Sequence, residues 1–581
     1  MSPIREYRWT VRTEVEPLSP ETAAAVKALS EQLNLSPILA EILVHRKIDT
    51  YEKARTFFRP HMEDLCDPFL MKNMDLAVDR ILKAVRTGEQ IVVYGDYDVD
   101  GTGSTAMLWS FLQSIGAQAR YFVPDRVRDG YGLSTAGIDR IKSFRATLLI
   151  AVDCGITAVT QVEYARSLGI EVVICDHHEP GNSLPDAAAV LDALQTGCSY
   201  PFKYLCGCGV AFKLIQALLT KKELSENRNG QAERLLEKYL QYATLATTAD
   251  IVPLVYENRT IVRLGLELIN TDPLPGIRAI IETSGIQSGK ISSGQIVYVL
   301  APRINAVGRL GDANRAVELL TCTSYDRALE LSRVMEDENS ARRKIDEETF
   351  LKAQKIVENM LNTENDSAIV LHEESWHPGV IGIVASRLVE RYYRPTILMT
   401  TIDGVAKGSA RSISGFNIHE ALKRCEHKLI QFGGHKYAAG LTVELDKVQE
   451  FREAFNLVAG EMMTEDLLTP EIRIDAEVRL SDLTPKFVRV LGQYAPFGPD
   501  NPRPLFMVRN VEVIGQPRIV GKNHLRFKVR SGGSVVDSIG FNLGDLLPRV
   551  RSGSKIDLVF SLEESEFSGE AAPQLKLRDI K

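Results

Sequence analysis

Three aspartates fall within one eight-residue phrase, Gly95-Asp96-Tyr97-Asp98-Val99-Asp100-Gly101-Thr102, directly after the apolar run Ile91-Val92-Val93-Tyr94. Carboxylates at two-residue spacing repel one another unless a cation sits among them. For this phrase alone, a solvated acidic turn punctuated by Gly95 and Gly101 is the competing reading. Two further phrases bear on the choice. Asp153 ends the run Leu149-Ile150-Ala151-Val152, and Asp176 ends Val172-Val173-Ile174-Cys175 and is followed by His177 and His178. Mg2+ and Mn2+ prefer carboxylate oxygens, and a site that includes a histidine nitrogen leans towards Mn2+. Several aspartates with one or two histidines can hold two such cations about 4 Å apart, the arrangement for in-line attack on a phosphoryl centre. One cation would generate the hydroxide nucleophile and both would stabilise developing charge, so no protein nucleophile is required. There is no G-x-S-x-G elbow, and Gly101-Thr102-Gly103-Ser104 lacks the lysine of a Walker loop, so ATP hydrolysis is unsupported.

These acids need a scaffold that brings them together. Strand-like runs are expected at Gln90–Tyr94, Arg120–Val123, Leu148–Val152, Ile170–Cys175 and, more weakly, Ala188–Leu191, with amphipathic stretches such as Thr105–Ile115 and Thr157–Leu168 between them. That alternation predicts βαβ units and a mostly parallel sheet, whose strands all end on one edge. Asp96, Asp98, Asp100, Asp153, Asp176, His177 and His178 therefore converge there. Helices are expected over Gly209–Leu219 and Ala232–Ala249, the latter stopping at Asp250-Ile251-Val252-Pro253. Residues 325–361 read as a long charged helix with Ile345, Thr349, Ala353, Ile356 and Met360 on one stripe, a helical linker between domains. A second α/β segment follows, with a strand at Ala368–Leu371 and glycine-rich turns at Gly408–Arg411 and Gly433-Gly434-His435. After about residue 466 come short alternating strands, Ile472–Val478, Phe506–Val513, Leu525–Val529 and Lys555–Phe560, the pattern of a small β-barrel or sandwich.

At 581 residues the chain has room for three to four domains of about 150 residues. With 44% hydrophobic and 25% charged residues it has the composition of an ordinary soluble protein. No apolar run approaches the ~20 residues of a membrane span, and the N-terminus lacks a signal-peptide profile, so a cytoplasmic location is expected. Eight scattered cysteines fit free thiols in a reducing compartment; Cys206-Gly207-Cys208 lacks the companion ligands of a zinc site. A formal charge of -7 argues against a wholly basic surface but not against a local one. Residues 471–581 carry 17 Lys and Arg against 14 Asp and Glu, concentrated in Lys522-Asn523-His524-Leu525-Arg526-Phe527-Lys528-Val529-Arg530. A basic strand with Phe527 interleaved suits a phosphate backbone; a solvated strand face is the alternative.

Asp176-His177-His178, preceded by Gly95-Asp96-Tyr97-Asp98-Val99-Asp100-Gly101 and Val152-Asp153-Cys154-Gly155 and followed by Ala249-Asp250, resembles the four motifs of the DHH phosphoesterase superfamily in order and spacing. Within it the chain is most similar to the RecJ family of single-stranded-DNA-specific exonucleases. Supporting phrases are Val123-Pro124-Asp125-Arg126, Asp129-Gly130-Tyr131-Gly132, Pro302-Arg303-Ile304-Asn305-Ala306 with Gly308-Arg309, and Trp376-His377-Pro378-Gly379-Val380-Ile381-Gly382-Ile383. Gly433-Gly434-His435 with Ala438-Ala439-Gly440 looks like a DHHA1 domain, and Pro496-Phe497-Gly498 with Asn501-Pro502 like the opening of a RecJ OB-fold. The resemblance runs from about residue 30 to the C-terminus. It implies an α/β fold: an N-terminal extension (1–85), a DHH parallel-sheet catalytic domain (86–325), a linker helix (326–362), a DHHA1 α/β substrate-binding domain (363–465) and a C-terminal OB-fold β-barrel (466–581).

The implied activity is metal-dependent 5′-to-3′ hydrolysis of single-stranded DNA to 5′-mononucleotides, serving recombination and repair, with two divalent cations, Mn2+ or Mg2+. Asp96, Asp98 and Asp100 match the first motif, with Asp98 weighted highest. Asp153, which bridges cations in this superfamily, Asp176 or His177, and Asp250 complete the implied ligand set. His178 is implied to face the scissile phosphate, alongside Asp98, Asp153 and His177 as catalytic groups. A pocket for the terminal 5′-phosphate is assigned to Arg126, Ser409 and Arg411, because guanidinium grips phosphate bidentately. Arg303, Asn305 and Arg309 are assigned to backbone phosphates nearer the metals, and His435 to a phosphate or backbone contact. The two α/β bodies are expected to leave a groove too narrow for duplex DNA, with the OB-fold gripping the strand upstream. A single-strand-binding protein and a RecQ-type helicase are implied as partners by analogy.

One departure stands out. After the strand Ala188-Val190 the family reads Asn-Pro, whereas here Asp192-Ala193 stands, which puts that loop and its contacts in question. Two other readings exist: a DHH phosphodiesterase of very short RNAs or cyclic dinucleotides, against which the 110-odd residues after Pro470 count, and a silent DNA-binding scaffold, which predicts eroded metal motifs where these are whole.

Overall fold

The computed structural model describes residues 6–125, 132–221, 224, 231–360, 366–565 and 572–581. Five short apolar runs form one wholly parallel sheet in the order Ala119–Phe122, Ile91–Tyr94, Leu148–Val152, Glu171–Cys175, Ala189–Leu191. All five expected strands are present, each within a residue of its expected ends. Side chains alternate across each strand, so the sheet feeds two cores. Ile91, Val93, Leu148, Ile150 and Val152 pack with the helices Met74–Thr87, Val99–Ser114 and Gly207–Leu219, while Val92, Tyr94, Leu149 and Ala151 pack with Thr135–Ser143 and Val159–Ser167.

The helix expected from Thr105 begins six residues earlier. Asp98 caps it: one carboxylate oxygen accepts from the amides of Asp100 (2.9 Å) and Gly101 (3.1 Å). The aspartate phrase is thus a helix start rather than a solvated loop.

A second sheet runs Gln431–Gly434, Ala438–Glu444, Val405–Arg411, Thr396–Ile402, Ile369–His372, antiparallel except for the last pair. The segments expected as glycine-rich turns, Gly408–Arg411 and Gly433-Gly434, are strands. Gly408 serves close packing across the sheet, since a Cβ there would lie 2.7 Å from Met399 and 3.0 Å from Leu441. Between the two bodies runs the 36-residue helix Tyr325–Met360, about 54 Å long at 1.5 Å per residue. It is embedded at both ends: Ala328, Leu331 and Met335 lie in the first body's core, and Phe350, Ala353 and Val357 pack on the second sheet.

The C-terminal strands run Phe506–Val520, His524–Ser531, Ser534–Gly540, Ala572–Ile580, Lys555–Ser565, and the last pairs back onto the first to close a five-stranded barrel. The single strand expected over Ile472–Val478 is divided. Glu471–Ile474 pairs in parallel with the N-terminal strand Arg8–Val11, and Ala476–Glu477 pairs with the barrel. The N-terminal residues are not an appendage: Val26, Leu29, Leu39, Leu43 and Phe57 share one core with Phe506, Val511 and Phe560. Phe527 also belongs to that core and offers no stacking face, because strand alternation turns it inward with Leu525 and Val529. Two of the basic residues around it are partnered, Arg526 with Asp537 at 2.7 Å and Arg530 with Glu512 at 2.9 Å. All eight cysteines are free thiols. Among the described residues no helix is long and apolar enough to cross a membrane.

Candidate active site

The parallel strands deliver Asp96, Asp153 and Asp176 to one sheet edge, as their chain positions require. Close backbone packing holds them there. A Cβ on Gly101 would lie 2.5 Å from the Asp96 nitrogen and oxygen, so only glycine lets the capped helix turn in over the strand end. Asp153 sits at φ +59°, a left-handed conformation that aspartate tolerates better than most residues.

Asp100 is aimed by a second helix start. Its two oxygens accept from the amides of Gly207 and Cys208, each at 2.7 Å, at the N-terminus of Gly207–Leu219, where the helix dipole favours negative charge. Cys206-Gly207-Cys208 therefore contributes backbone amides, and both thiols are buried.

His177 stands amid the carboxylates. Its Nε2 is 3.2 Å from Asp153, 3.7 Å from Asp100 and 3.8 Å from Asp250. Three groups of ligand atoms lie mutually within 4.8 Å: Asp96, Asp98 and Asp153; Asp100, His177 and Asp250; Asp153, His177 and His178. Asp153 and His177 each belong to two groups, so the groups adjoin. Asp176 is in none of them. One of its oxygens accepts from the His177 amide (2.8 Å) and meets His178 Nδ1 (2.7 Å), and the other accepts from the Ile156 amide (2.9 Å). Its geometry is that of a residue that orients the histidines.

The charges fit cations. Burial, then the Asp100 charge, pushes the carboxyls of Asp98, Asp153 and Asp250 upward, the last two strongly. Burial also lowers His177, against the pull of Asp100, leaving it a neutral donor. Burial opposes a charge on His178, but the hydrogen bond and charge of Asp176 outweigh it and hold the imidazole at about 9. Carboxylates that crowd together against their own ionisation, beside an uncharged imidazole, are the donor set of a hard divalent cation.

Across the opening lies the second body. Arg411 Nη1 donates to Ser409 Oγ at 2.9 Å and to the Ala410 carbonyl at 2.8 Å. A Cβ on Gly382 would lie 2.8 Å from Arg411 Nη2 and 2.9 Å from Ser409 Oγ, so glycine leaves the guanidinium and hydroxyl room at the start of the helix Ile381–Tyr392, which has no side-chain cap. His435 is near enough for its charge to act on His177. Arg309 Nη1 donates to the Gly379 carbonyl at 2.9 Å, tying the two bodies together. Asn305 accepts from the Val99 amide at 3.0 Å, holding the first motif in place. Arg303 is buried, bonded to Glu336 and to the Val299 carbonyl (2.7 Å). Arg126 lies outside the described residues.

Sequence reasoning missed the Gly207 and Cys208 amides, the Gly382 recess and the structural use of Asn305. The Cys-Gly-Cys-Gly run before an apolar helix was the available signal for the first. Asp192 is fully buried at the end of Ala189–Leu191. One oxygen accepts from the Leu194 amide at 2.6 Å, the other has no hydrogen-bond partner among the described residues, and burial raises the carboxyl to about 7.

A family model for the DHH family N-terminal domain matches residues 90–247, one for the DHHA1 domain matches 352–461, and one for the RecJ OB domain matches 474–579. The single-stranded-DNA-specific exonuclease RecJ of Bacillus subtilis is 40% identical over 558 residues, covering 95% of this chain and 69% of that relative. Its namesake from Escherichia coli is 34% identical over 524 residues, covering 88% of this chain and 90% of the relative. The crystal structure of RecJ in complex with Mn2+ from Thermus thermophilus superposes with a TM-score of 0.82 at 29% identity, covering 99% of this chain and 79% of that one.

Proposed function

The chain belongs to the RecJ family of DHH phosphoesterases, and from that premise we propose that it is a metal-dependent exonuclease specific for single-stranded DNA, working from the 5′ end and releasing 5′-mononucleotides in recombination and repair. The observation that carries this reading is the adjoining pair of ligand groups at the sheet edge. Asp96, Asp98 and Asp153 would hold one cation and Asp100, His177 and Asp250 the other, the two groups meeting where His177 Nε2 lies 3.2 Å from Asp153. Divalent cations bound there supply an activated water and neutralise charge developing on the phosphoryl oxygens.

The chain's own groups do the rest. Asp176 holds His178 by Nδ1, and the imidazole, cationic at neutral pH, presents Nε2–H to a scissile-phosphate oxygen. Ser409 and Arg411, with the recess at Gly382, suit a terminal phosphate monoester, and capture of that terminus orients the strand for removal of its first nucleotide. Arg126 is proposed for the same pocket on resemblance alone. Arg309, which reaches the second body at the Gly379 carbonyl, and His435 are proposed for backbone phosphates on resemblance, whereas Arg303, held on Glu336, supports the scaffold. The barrel would grip the strand upstream. A single-strand-binding protein and a helicase remain partners by analogy with the family.

The test is a single-stranded oligonucleotide labelled at its 3′ end, incubated with Mn2+ or Mg2+. Stepwise shortening from the 5′ end, abolished by chelator and by Asp153→Ala while DNA binding persists, is expected. No shortening, or equal attack from the 3′ end, overturns the reading.

A further inference from the structure

Arg259, on the helix Tyr256–Thr271 of the first body, is 3% exposed and pairs with no carboxylate among the described residues. All five of its N–H donors are used on backbone carbonyls. Nε donates to Phe57 (3.0 Å), Nη1 to Tyr494 (2.9 Å) and Pro496 (3.4 Å), and Nη2 to Ala495 (2.9 Å) and Gln493 (3.3 Å). The guanidinium carbon lies 3.6 Å from the centroid of the Phe57 ring. Its acceptors belong to the N-terminal helix Tyr51–Phe58 and to the turn after the helix Pro485–Gly492, two segments that pack into the barrel's core. The same seam carries a bond from the Leu254 amide to the Pro499 carbonyl (2.8 Å) and one from Ser293 Oγ to the Phe497 carbonyl (2.7 Å). On the barrel side Asn501 Nδ2 holds the turn through the carbonyls of Tyr494 (3.0 Å) and Pro496 (2.7 Å). A lysine has three donors and no planar fork, so it could not span this set.

We propose that Arg259 is a positioning residue for long substrates: it fixes the unit made of the N-terminal helices and the barrel on the catalytic body, so that DNA held by the barrel is presented in register with the metal centre. This rests on the reading of the chain as a single-strand exonuclease. A rigid seam keeps the effective concentration of the bound strand at the metal centre near its maximum, whereas a hinged one dilutes it. An oligonucleotide too short to reach the barrel gains nothing from the seam.

The experiment compares full-length wild type, Arg259→Lys and Arg259→Met with Mn2+ on two 5′-phosphorylated, 3′-labelled strands of about 4 and about 30 nucleotides, chosen around the ~4–16 nucleotides an OB-fold occupies. For both variants KM on the long strand should rise about tenfold or more with kcat retained, as lost avidity requires, and kcat/KM on the short strand should stay at the wild-type value. A long-strand KM equal to wild type, or an equal loss on both strands, overturns the assignment; the second result marks fold damage alone. If neither variant folds, Ser293→Ala, which removes only the bond to Phe497, should move the long-to-short ratio in the same direction, and an unchanged ratio is equally decisive. Failure of the wild type to shorten either strand refutes the exonuclease reading instead.

Discussion

Gly207→Ala places one methyl group where the active site has no room for it. The added carbon would lie 2.6 Å from Asp153 Cβ, 2.8 Å from its Cα and 2.8 Å from its Oδ1, against about 3.4 Å for ordinary contact. Two of these neighbours are fixed by the backbone at the end of Leu148–Val152, so rotation of a side chain does not relieve the clash. The helix start and the Asp153 loop must separate by about 0.6–0.8 Å, a shift on the scale at which misplacement costs about a hundredfold in rate. The same movement stretches both 2.7 Å bonds from Gly207 and Cys208 to Asp100, each of the charged kind that contributes about 1.5–3 kcal/mol. Overpacking adds about 1–3 kcal/mol of destabilisation. The expected result is a loss of about a hundredfold in kcat on a 3′-labelled single strand, with a Tm several degrees lower and DNA binding kept. Gly209→Ala, whose new carbon would meet only the side chain of Leu205 at 3.2 Å, is the control and should stay within a few-fold of wild type. Wild-type kcat in Gly207→Ala would show that the amides of this helix do not position Asp100 and Asp153.

Arg411→Ala should cut the preference for a 5′-phosphate over a 5′-hydroxyl end by about tenfold or more, read as the ratio of kcat/KM on the two substrates, while Arg303→Ala should leave that ratio unchanged and lower Tm, because its partner is Glu336. Asp192→Asn should stabilise the protein at pH 8. The folded carboxyl is raised to about 7 and the unfolded one is not, so wild-type stability falls as pH climbs from about 4 through 7, by up to about 4 kcal/mol. Denaturant melts of the two proteins should meet near pH 4, separate across that range and keep a constant gap above it; a gap independent of pH refutes the assignment. Glu257→Gln should cost about 3–5 kcal/mol, since it leaves Lys213, fully buried and 3.0 Å away, without its counter-ion; cleavage per folded molecule should be unchanged.

The metal-facing half of the site was legible because a parallel sheet puts every strand end on one edge, so position in the chain alone gathered Asp96, Asp153 and Asp176. What the chain could not reveal was how each acid is engaged. Asp176 looked equivalent to its neighbours until its oxygens proved to be taken up by Ile156 and the two histidines. Arg303 and Arg309 are six residues apart and similar on paper, yet one is turned into the scaffold by Glu336 and the other reaches the Gly379 carbonyl. Glycines misled wherever they serve contact rather than conformation, and Gly408 reads as a turn until Met399 and Leu441 are seen across it. The N-terminal helices could not be placed because their apolar faces complement a barrel more than 400 residues away in sequence, a long-range pairing that no local pattern encodes.

The helix Tyr325–Met360, embedded at both ends, is a ruler with an angular scale. Each residue added or removed along it would turn the second body by about 100° and shift it by about 1.5 Å. Even a seven-residue insertion, which returns the phase to within about 20°, would displace the body that carries Ser409 and Arg411 by some 10 Å relative to the carboxylate cluster. Side chains such as Glu336, Asp346 and Glu347 bond it to the bodies at either end, and its residue count is fixed by the distance and azimuth between the sheet edge that carries the aspartates and the sheet that carries Ser409 and Arg411.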